Sequence, residues 1–281
     1  MSAEEDFLVL ATEVKRFDYD RWLATLFMPA EVRTSVMAVL AFNAEIARVR
    51  ETVSEAMLGD IRLQWWRDAL SDLQSGVVRA HPVLQALSKI KAPRTLDVSL
   101  MQEMIDMRAK DLDPAPIASE GELLVYAEAT GGNLHRLIYN VLCHKETSGA
   151  VEAVMRSGRS LALTGILRAV PFHAQNDLLL LPISVLNSHG LEASTVFRSE
   201  HKDHFRAVLE QLHELAEEEY LQAFEKSLSL SKVEKPAVLC NALTGIYLAR
   251  LKKCEFEPAD PRMQVSNIRK IFAMTGYKLF G

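Results

Sequence analysis

Proline and glycine are sparse in this chain, and they fall between segments with helical apolar periodicity rather than inside alternating ones. With 10 Pro and 12 Gly in 281 residues, and almost no β-branched alternation, the sequence leaves little room for sheet. The pattern predicts an all-α protein of about ten helices by the usual helix length. No repeat, low-complexity tract or linker divides the chain, so a single domain spanning residues 1–281 is expected.

Local signals place the helix ends. Pro29 suits the first turn of a helix running to about Arg50, where its missing N–H is not needed. Asp60 is a candidate cap for a helix with Ile61, Trp65, Ala69 and Leu73 on its core face, stopped by Gly76. Ser119 with Glu122, and Ser231 with Glu234, have capping-box spacing. A helix over 158–170 is expected to end at Pro171. A long charged helix is expected from about Glu200 to Ser227, and a last one from Met263 to Thr275.

A net charge of −5 offers no basic field for nucleic acid. Cys143, Cys240 and Cys254 lie far apart with no metal-type spacing, which fits free thiols in a reducing compartment. The acidic start MSAEEDF reads as neither signal nor transit peptide, and no apolar run reaches spanning length; a cytoplasmic protein is expected.

Two helices are unusual. From Pro29 the apolar stripe runs Val32, Val36, Val39/Leu40 and Ile46, with Asn43 inside it. A buried Asn needs partners: it is tied to a neighbouring helix, or it floors a pocket. In RSLALTGILRAVPFHAQNDLLLLP, Ala162, Gly165 and Ala169 align on one face. Such a stripe admits a second helix at close range, or leaves a groove. Gly165 costs about 1 kcal/mol relative to Ala, so packing or a cavity wall should compensate.

These segments resemble the squalene/phytoene synthase family of head-to-head prenyl-diphosphate condensing enzymes. DYDRWLATLFMPAEVRTSVMAVLAFNAEIAR, LLVYAEATGGN and LTGILRAVPFHAQNDLLLLP carry the likeness, which is best over 18–190. The resemblance implies an isoprenoid-synthase-type helical bundle around a central cavity. In the active enzymes two Asp-rich motifs face each other there and hold Mg²⁺, which neutralises the departing diphosphate. Aligned with those motifs, this chain has Ala47, Arg48 and Glu51 at the first and Ala169 and His173 at the second. Ala162 and Gly165 replace polar pocket residues and Ala44 replaces an Arg, whereas Tyr126 and Arg168 match. One lone Glu cannot assemble a multi-Mg²⁺ cluster, so neither catalytic residues, nor a metal site, nor a cofactor is expected.

FNAEIARVRETVSEAMLGDIRLQWWRDAL and RAVPFH are similar to a degenerate branch of the same superfamily. Its best-known member is the mitochondrial assembly factor for respiratory complex I. This likeness implies a non-catalytic role in assembly, with complex I subunits or intermediates as partners. Gln175, Asn176 and Asp177 replace basic residues often found in that branch before the final LP. The alternatives are an active transferase with an atypical site, taking ligands such as Asp111 and Asp113, and an isoprenoid- or lipid-binding protein.

Other constellations read two ways. Trp65 and Trp66, with Arg62 and Arg67, are core aromatics or a binding face, with one Trp inward and the other partly exposed. Arg48, Arg50 and Arg168 form an anion pocket or pair with Glu45, Glu51 and Glu55. His201, Asp203 and His204 are a solvated helix face or metal ligands, and Glu217–Glu219 is an exposed charge run. The tail NIRKIFAMTGYKLFG is a docked last helix or a peripheral contact with an anionic membrane.

Overall fold

In the computed structural model the described residues are 3–113, 115–143, 146–147, 149–176, 178–194, 196 and 202–280, with side chains from residue 8 to residue 279. Fourteen α-helices lie among them, with no strand. They are α1 (Ala3–Phe17), α2 (Tyr19–Thr25), α3 (Ala30–Ala47), α4 (Val49–Thr52), α5 (Ala56–Gln74), α6 (Pro82–Leu87) and α7 (Val98–Arg108). After them come α8 (Glu120–Ala127), α9 (Asn133–Leu142), α10 (Ala150–Gln175), α11 (Ile183–Ser188), α12 (Lys202–Ser227), α13 (Asn241–Lys253) and α14 (Asn267–Phe280). None is long and apolar enough to cross a membrane.

The middle of α3 is apolar on every side, and it is buried on every side: Val36 to Ala44 are all buried, as such a sequence requires. Around it α1, α6, α7 and α9 build one apolar cluster, and α8, α11 and α12 build a second. Two helices join the clusters. The first half of α10 gives Ala153, Val154 and Leu161 to one, and its second half gives Leu163, Ile166, Leu167 and Val170 to the other. In α13, Leu243 and Tyr247 face the first cluster, while Leu248 and Leu251 face the second.

Several ends fall where the side chains dictate. The Glu122 amide donates to Ser119 Oγ at 3.2 Å and caps α8. The reciprocal arm is displaced, since the Glu122 carboxylate accepts from the Ala118 amide at 2.8 Å. Gly76 has φ +84°, the left-handed stop that follows α5. Ser231 donates to Glu234 at 2.7 Å, and Pro236 lies in the short 3₁₀ turn Lys235–Val238 beyond it.

Other expectations are corrected. α3 ends at Ala47 because Arg48 leaves helical geometry (φ −100°, ψ 5°), setting its guanidinium 3.3 Å from the Phe17 ring centroid. α5 begins at Ala56, so Asp60 lies within its second turn and does not cap it. Its core face is Gly59, Leu63, Trp66, Ala69 and Leu70, with Leu73 packed beside it, while Ile61 and Trp65 point outward. The edge of the Phe42 ring meets Trp66 at 5.4 Å, which selects Trp66 over Trp65. α10 does not stop at Pro171 but runs on to Gln175. Burial of Leu167 and Val170 against α12 offsets the hydrogen bond that proline cannot make. The last helix starts at Asn267, after the 3₁₀ turn Pro261–Met263.

Candidate functional site: a central polar cavity

A cavity of about 250 Å³ opens between α2, α3, α7, α8 and α10. Asn43 reaches it from α3, Tyr126 from α8, and Ala162, Gly165, Arg168, Ala169 and His173 from α10. Among the small residues it is Gly165 that faces open space, with nothing within 4 Å of a Cβ built there. The stripe is therefore a cavity wall at Gly165. Close approach occurs one turn and more earlier, where a Cβ on Gly158 would lie 2.1 Å from the Gly131 carbonyl oxygen.

Ala47, Arg48 and Glu51 do not line this cavity. Ala47 closes α3, Arg48 covers Phe17, and Glu51 is exposed on α4, 3.9 Å from Arg48. The three arginines considered together do not converge. Arg168 lines the central cavity, whereas Arg50 borders a separate, larger one of about 700 Å³ that also meets Tyr126 and Leu180.

The polar wall is built largely from residues that motif reasoning did not single out: Asp18, Asp20, Arg21 and Arg108. The first three stand in the quoted run DYDRW, and that cluster of charge was the available signal. Asp18 caps α2 through the Arg21 amide and pairs with the Arg21 guanidinium at 2.7 Å. Arg21 Nε donates to His135 at 3.3 Å. Asp20 accepts the Tyr247 hydroxyl at 2.5 Å and Lys270 Nζ at 2.6 Å, with Arg168 at 3.9 Å. Arg168 lies 3.4 Å from the Tyr247 ring centroid. On the opposite wall Arg108 donates to the Tyr126 oxygen at 2.6 Å, and Tyr126 donates to Asp111 at 2.7 Å. Asp111 also pairs with Arg108 at 3.2 Å, and Asp113 caps the Ala115 amide.

Burial sets the electrostatics. It lowers the His173 pKa to about 4, with the Arg108 charge adding to the effect, so the ring is neutral at pH 7. Burial and Arg21 together hold His135 well below its ordinary value. Burial opposes the charge of Arg108, but Tyr126 and Asp111 outweigh it and keep its pKa raised. Burial drives Tyr126 upward, so it stays a neutral phenol.

Two side chains lining this cavity carry a buried polar atom without a partner: Asn43, through Oδ1 in a residue only 8 % exposed, and Arg108, through Nε. Asn43 is thus a pocket-lining residue whose acceptor is not satisfied by a neighbouring helix. Each carboxylate at the wall is held by cationic or hydroxyl donors. The Mg²⁺ implied by the family likeness does not fit this donor set, because alanines, an arginine and one neutral histidine stand at four of the five motif positions. Among the described residues, no three His, Cys, Asp or Glu side chains gather to hold a metal. The wall can hold an anion through Arg168, whose side chain is 34 % exposed and whose ion pair is long.

The remaining candidates resolve as follows. Trp66 is core and Trp65 partly exposed. His204 Nδ1 lies 2.7 Å from the His189 carbonyl oxygen, while His201 and Asp177 lie outside the described residues. Asn176 donates to the Phe172 carbonyl, folding back on α10. Glu217–Glu219 is not an exposed run throughout. Glu219 is buried and pairs with Arg159 at 2.5 Å and Arg156 at 3.2 Å, because those arginines of α10 face α12. Cys240 and Cys254 are buried and Cys143 half-buried, all free.

Comparison with known proteins places these features in context. The family model described as squalene/phytoene synthase matches residues 14–269. The mouse "NADH dehydrogenase (ubiquinone) complex I, assembly factor 6" is 30 % identical over 260 residues, covering 91 % of this chain and 76 % of that protein. The human protein of the same description is 28 % identical over 259 residues, covering 90 % and 76 %. Phytoene synthase of Thermus thermophilus is 24 % identical over 257 residues, covering 86 % and 81 %. Among solved structures, a dehydrosqualene synthase with bound ligand superposes with a TM-score of 0.85 at 21 % identity, covering 99 % of this chain and 96 % of that one. Squalene synthase HpnC of Alicyclobacillus acidocaldarius gives 0.79 at 14 % identity, covering 92 % and 98 %. The fold is that of the squalene synthases.

Proposed function

The chain belongs to the squalene/phytoene synthase family, and we propose that within it this protein acts as an assembly factor for respiratory complex I and not as a condensing enzyme. The relatives described as complex I assembly factors support the first part. The carrying observation for the second is the cavity wall itself. Ala169 and His173 stand at the second motif, and Asp18, Asp20 and Asp111 are each engaged by donors of this chain. Diphosphate departure needs paired carboxylates holding divalent ions, and this wall supplies none free.

The cytoplasmic location expected from the sequence is compatible with this role. Contact with an anionic membrane is supported by α14. It buries Met274 and Tyr277, exposes Ile268, Phe272 and Leu279 together with Arg269 and Lys278, and carries no acidic residue, its third cation, Lys270, being held by Asp20.

Deleting the gene and measuring NADH:quinone activity and complex I content in membranes tests the role. Both fall if the proposal holds; normal values for both would overturn it.

A second reading, binding of an isoprenoid or lipid without turnover, is favoured by the unpartnered Asn43 Oδ1 and by Tyr126 and Leu180, which border both cavities. Native mass spectrometry of the purified protein checks it, and a clean unliganded mass counts against it.

A further inference from the structure

The outward face of α5 is apolar where a solvated helix would be polar. Met57, Ile61 and Trp65 follow one another at i, i+4 and i+8, with exposures of 63 %, 59 % and 38 %. That spacing stacks them along a single helix face over about 12 Å. Leu58 flanks the row, and the exposed Val77 and Val78 follow in the turn after the helix. The row turns inward only further along, where Ala69 is buried and Leu73 packs on the core beside Leu63, Trp66 and Leu70, so its first half is left outside. Burial within the chain therefore does not account for it.

Trp65 is held in place. The Arg79 guanidinium lies 5.4 Å from its ring centroid while Arg79 pairs with Asp72, and the rings of Trp66 and His81 pack at 5.1 Å and 5.5 Å. A fixed aromatic on an exposed apolar row loses little side-chain freedom when it is covered, which is what an interface anchor requires.

The rim selects the partner. Glu55, Asp60 and Asp68 are exposed on this helix and its start, and none has a cationic partner among the described residues. Asp68 only accepts from Gln64. The neighbouring cations are already engaged, Arg62 with Glu45 and Arg67 with Asp106. The free charge around the row is acidic, the opposite of α14, so an anionic membrane is repelled here. An apolar row of three anchors with an acidic border matches an amphipathic helix carrying Lys or Arg beside its own apolar stripe.

We infer that the Met57–Ile61–Trp65 face of α5 is a docking surface for a basic amphipathic helix of a partner protein. Placing that partner in complex I assembly rests on the role proposed above; the surface does not.

A photo-crosslinking residue at position 61 of the full chain, expressed in its host and irradiated, tests this, with the crosslinked peptide sequenced by mass spectrometry. The expected adduct joins position 61 to a basic, helically periodic segment of a different protein. The double variant Asp60→Lys, Asp68→Lys, with an unchanged melting temperature, lowers its yield by about tenfold. A crosslink to lipid, to a second copy of this chain or to an acidic segment overturns the inference. So does the absence of any adduct, or a yield indifferent to the charge reversal. If gene deletion lowers complex I and the double variant restores it fully, the surface fails and the assembly role stands. A basic-helix adduct with a protein unconnected to complex I leaves the surface standing and removes the role.

Discussion

Gly131 and Gly158 meet backbone to backbone: a Cβ on Gly158 would lie 2.1 Å from the Gly131 carbonyl oxygen, and one on Gly131 would lie 2.3 Å from that of Gly158. The π-helical turn Glu128–Gly132 that follows α8 is thereby pressed directly onto α10. This contact fixes the height at which Tyr126, Thr130 and the α10 face enclose the cavity.

Two glycines of α10 should therefore respond with opposite sign. Gly158→Ala forces backbone apart and is expected to destabilise by about 1–3 kcal/mol. Gly165→Ala meets open space within a helix and is expected to stabilise by roughly 0.5–1 kcal/mol. Urea unfolding of both variants measures this; equal and unfavourable shifts would show that Gly165 is packed.

Glu219 carries a pair of arginines on a side chain only 10 % exposed. Glu219→Gln removes the buried charge between α10 and α12 and leaves Arg156 and Arg159 only their more exposed partners, Glu152 and Glu128. The expected loss is about 2–4 kcal/mol, with little recovery in high salt because the pair is shielded from screening. A loss below a few tenths of a kcal/mol would make it an ordinary surface pair.

His173 makes stability depend on pH. The folded protein holds it neutral down to about 4, while the unfolded chain protonates it near 6.5. Between those values unfolding takes up a proton, so stability falls as pH falls from 6.5 toward 4. The full effect is on the order of 2–3 kcal/mol and vanishes above pH 7. His135, lowered in the same way, acts in the same direction. Denaturant midpoints for the protein and for His173→Gln should converge at pH 7.5 and separate at pH 5, the variant being relatively more stable there. Parallel curves would place a protonated ring in the fold.

Purified protein supplied with farnesyl or geranylgeranyl diphosphate and Mg²⁺ is expected to yield no condensation product above a no-protein blank. Product formation would mean that carboxylates outside the two motif positions hold the metal.

Parts of this architecture were plain in the residues and parts were not. The Ser119 cap and the Gly76 stop were legible because each acts within a few residues of chain. The direction of α5 was not, since Ile61–Trp65 and Leu63–Trp66–Leu70 are both apolar rows, and packing on distant helices, as of Trp66 on Phe42 of α3, decides between them. Pro171 misled for a related reason: its local cost is real, and burial of Leu167 and Val170 before it overrides that cost. At the cavity, Asn43, Gly165 and His173 stood out by being the wrong type for their place, and Arg168 by matching the family pattern. Arg21 and Arg108 did not, because what they do depends on Asp18, Asp111 and Tyr126 being brought beside them.

The order of residues by itself settled that the chain is helical and where a few helix ends fall, such as the Ser119 cap and the Gly76 stop, while the family likeness added the expectation that alanine, arginine and histidine occupy positions where carboxylates would grip metal. These follow from interactions a few residues long and from side-chain identity. Only the folded chain decided that Lys270 neutralises Asp20 from 250 residues away, that Glu219 lies inside, and that the Trp65 row is left facing out. Each of these depends on which surfaces distant helices present to one another, a competition among similar burial energies that no local pattern can resolve.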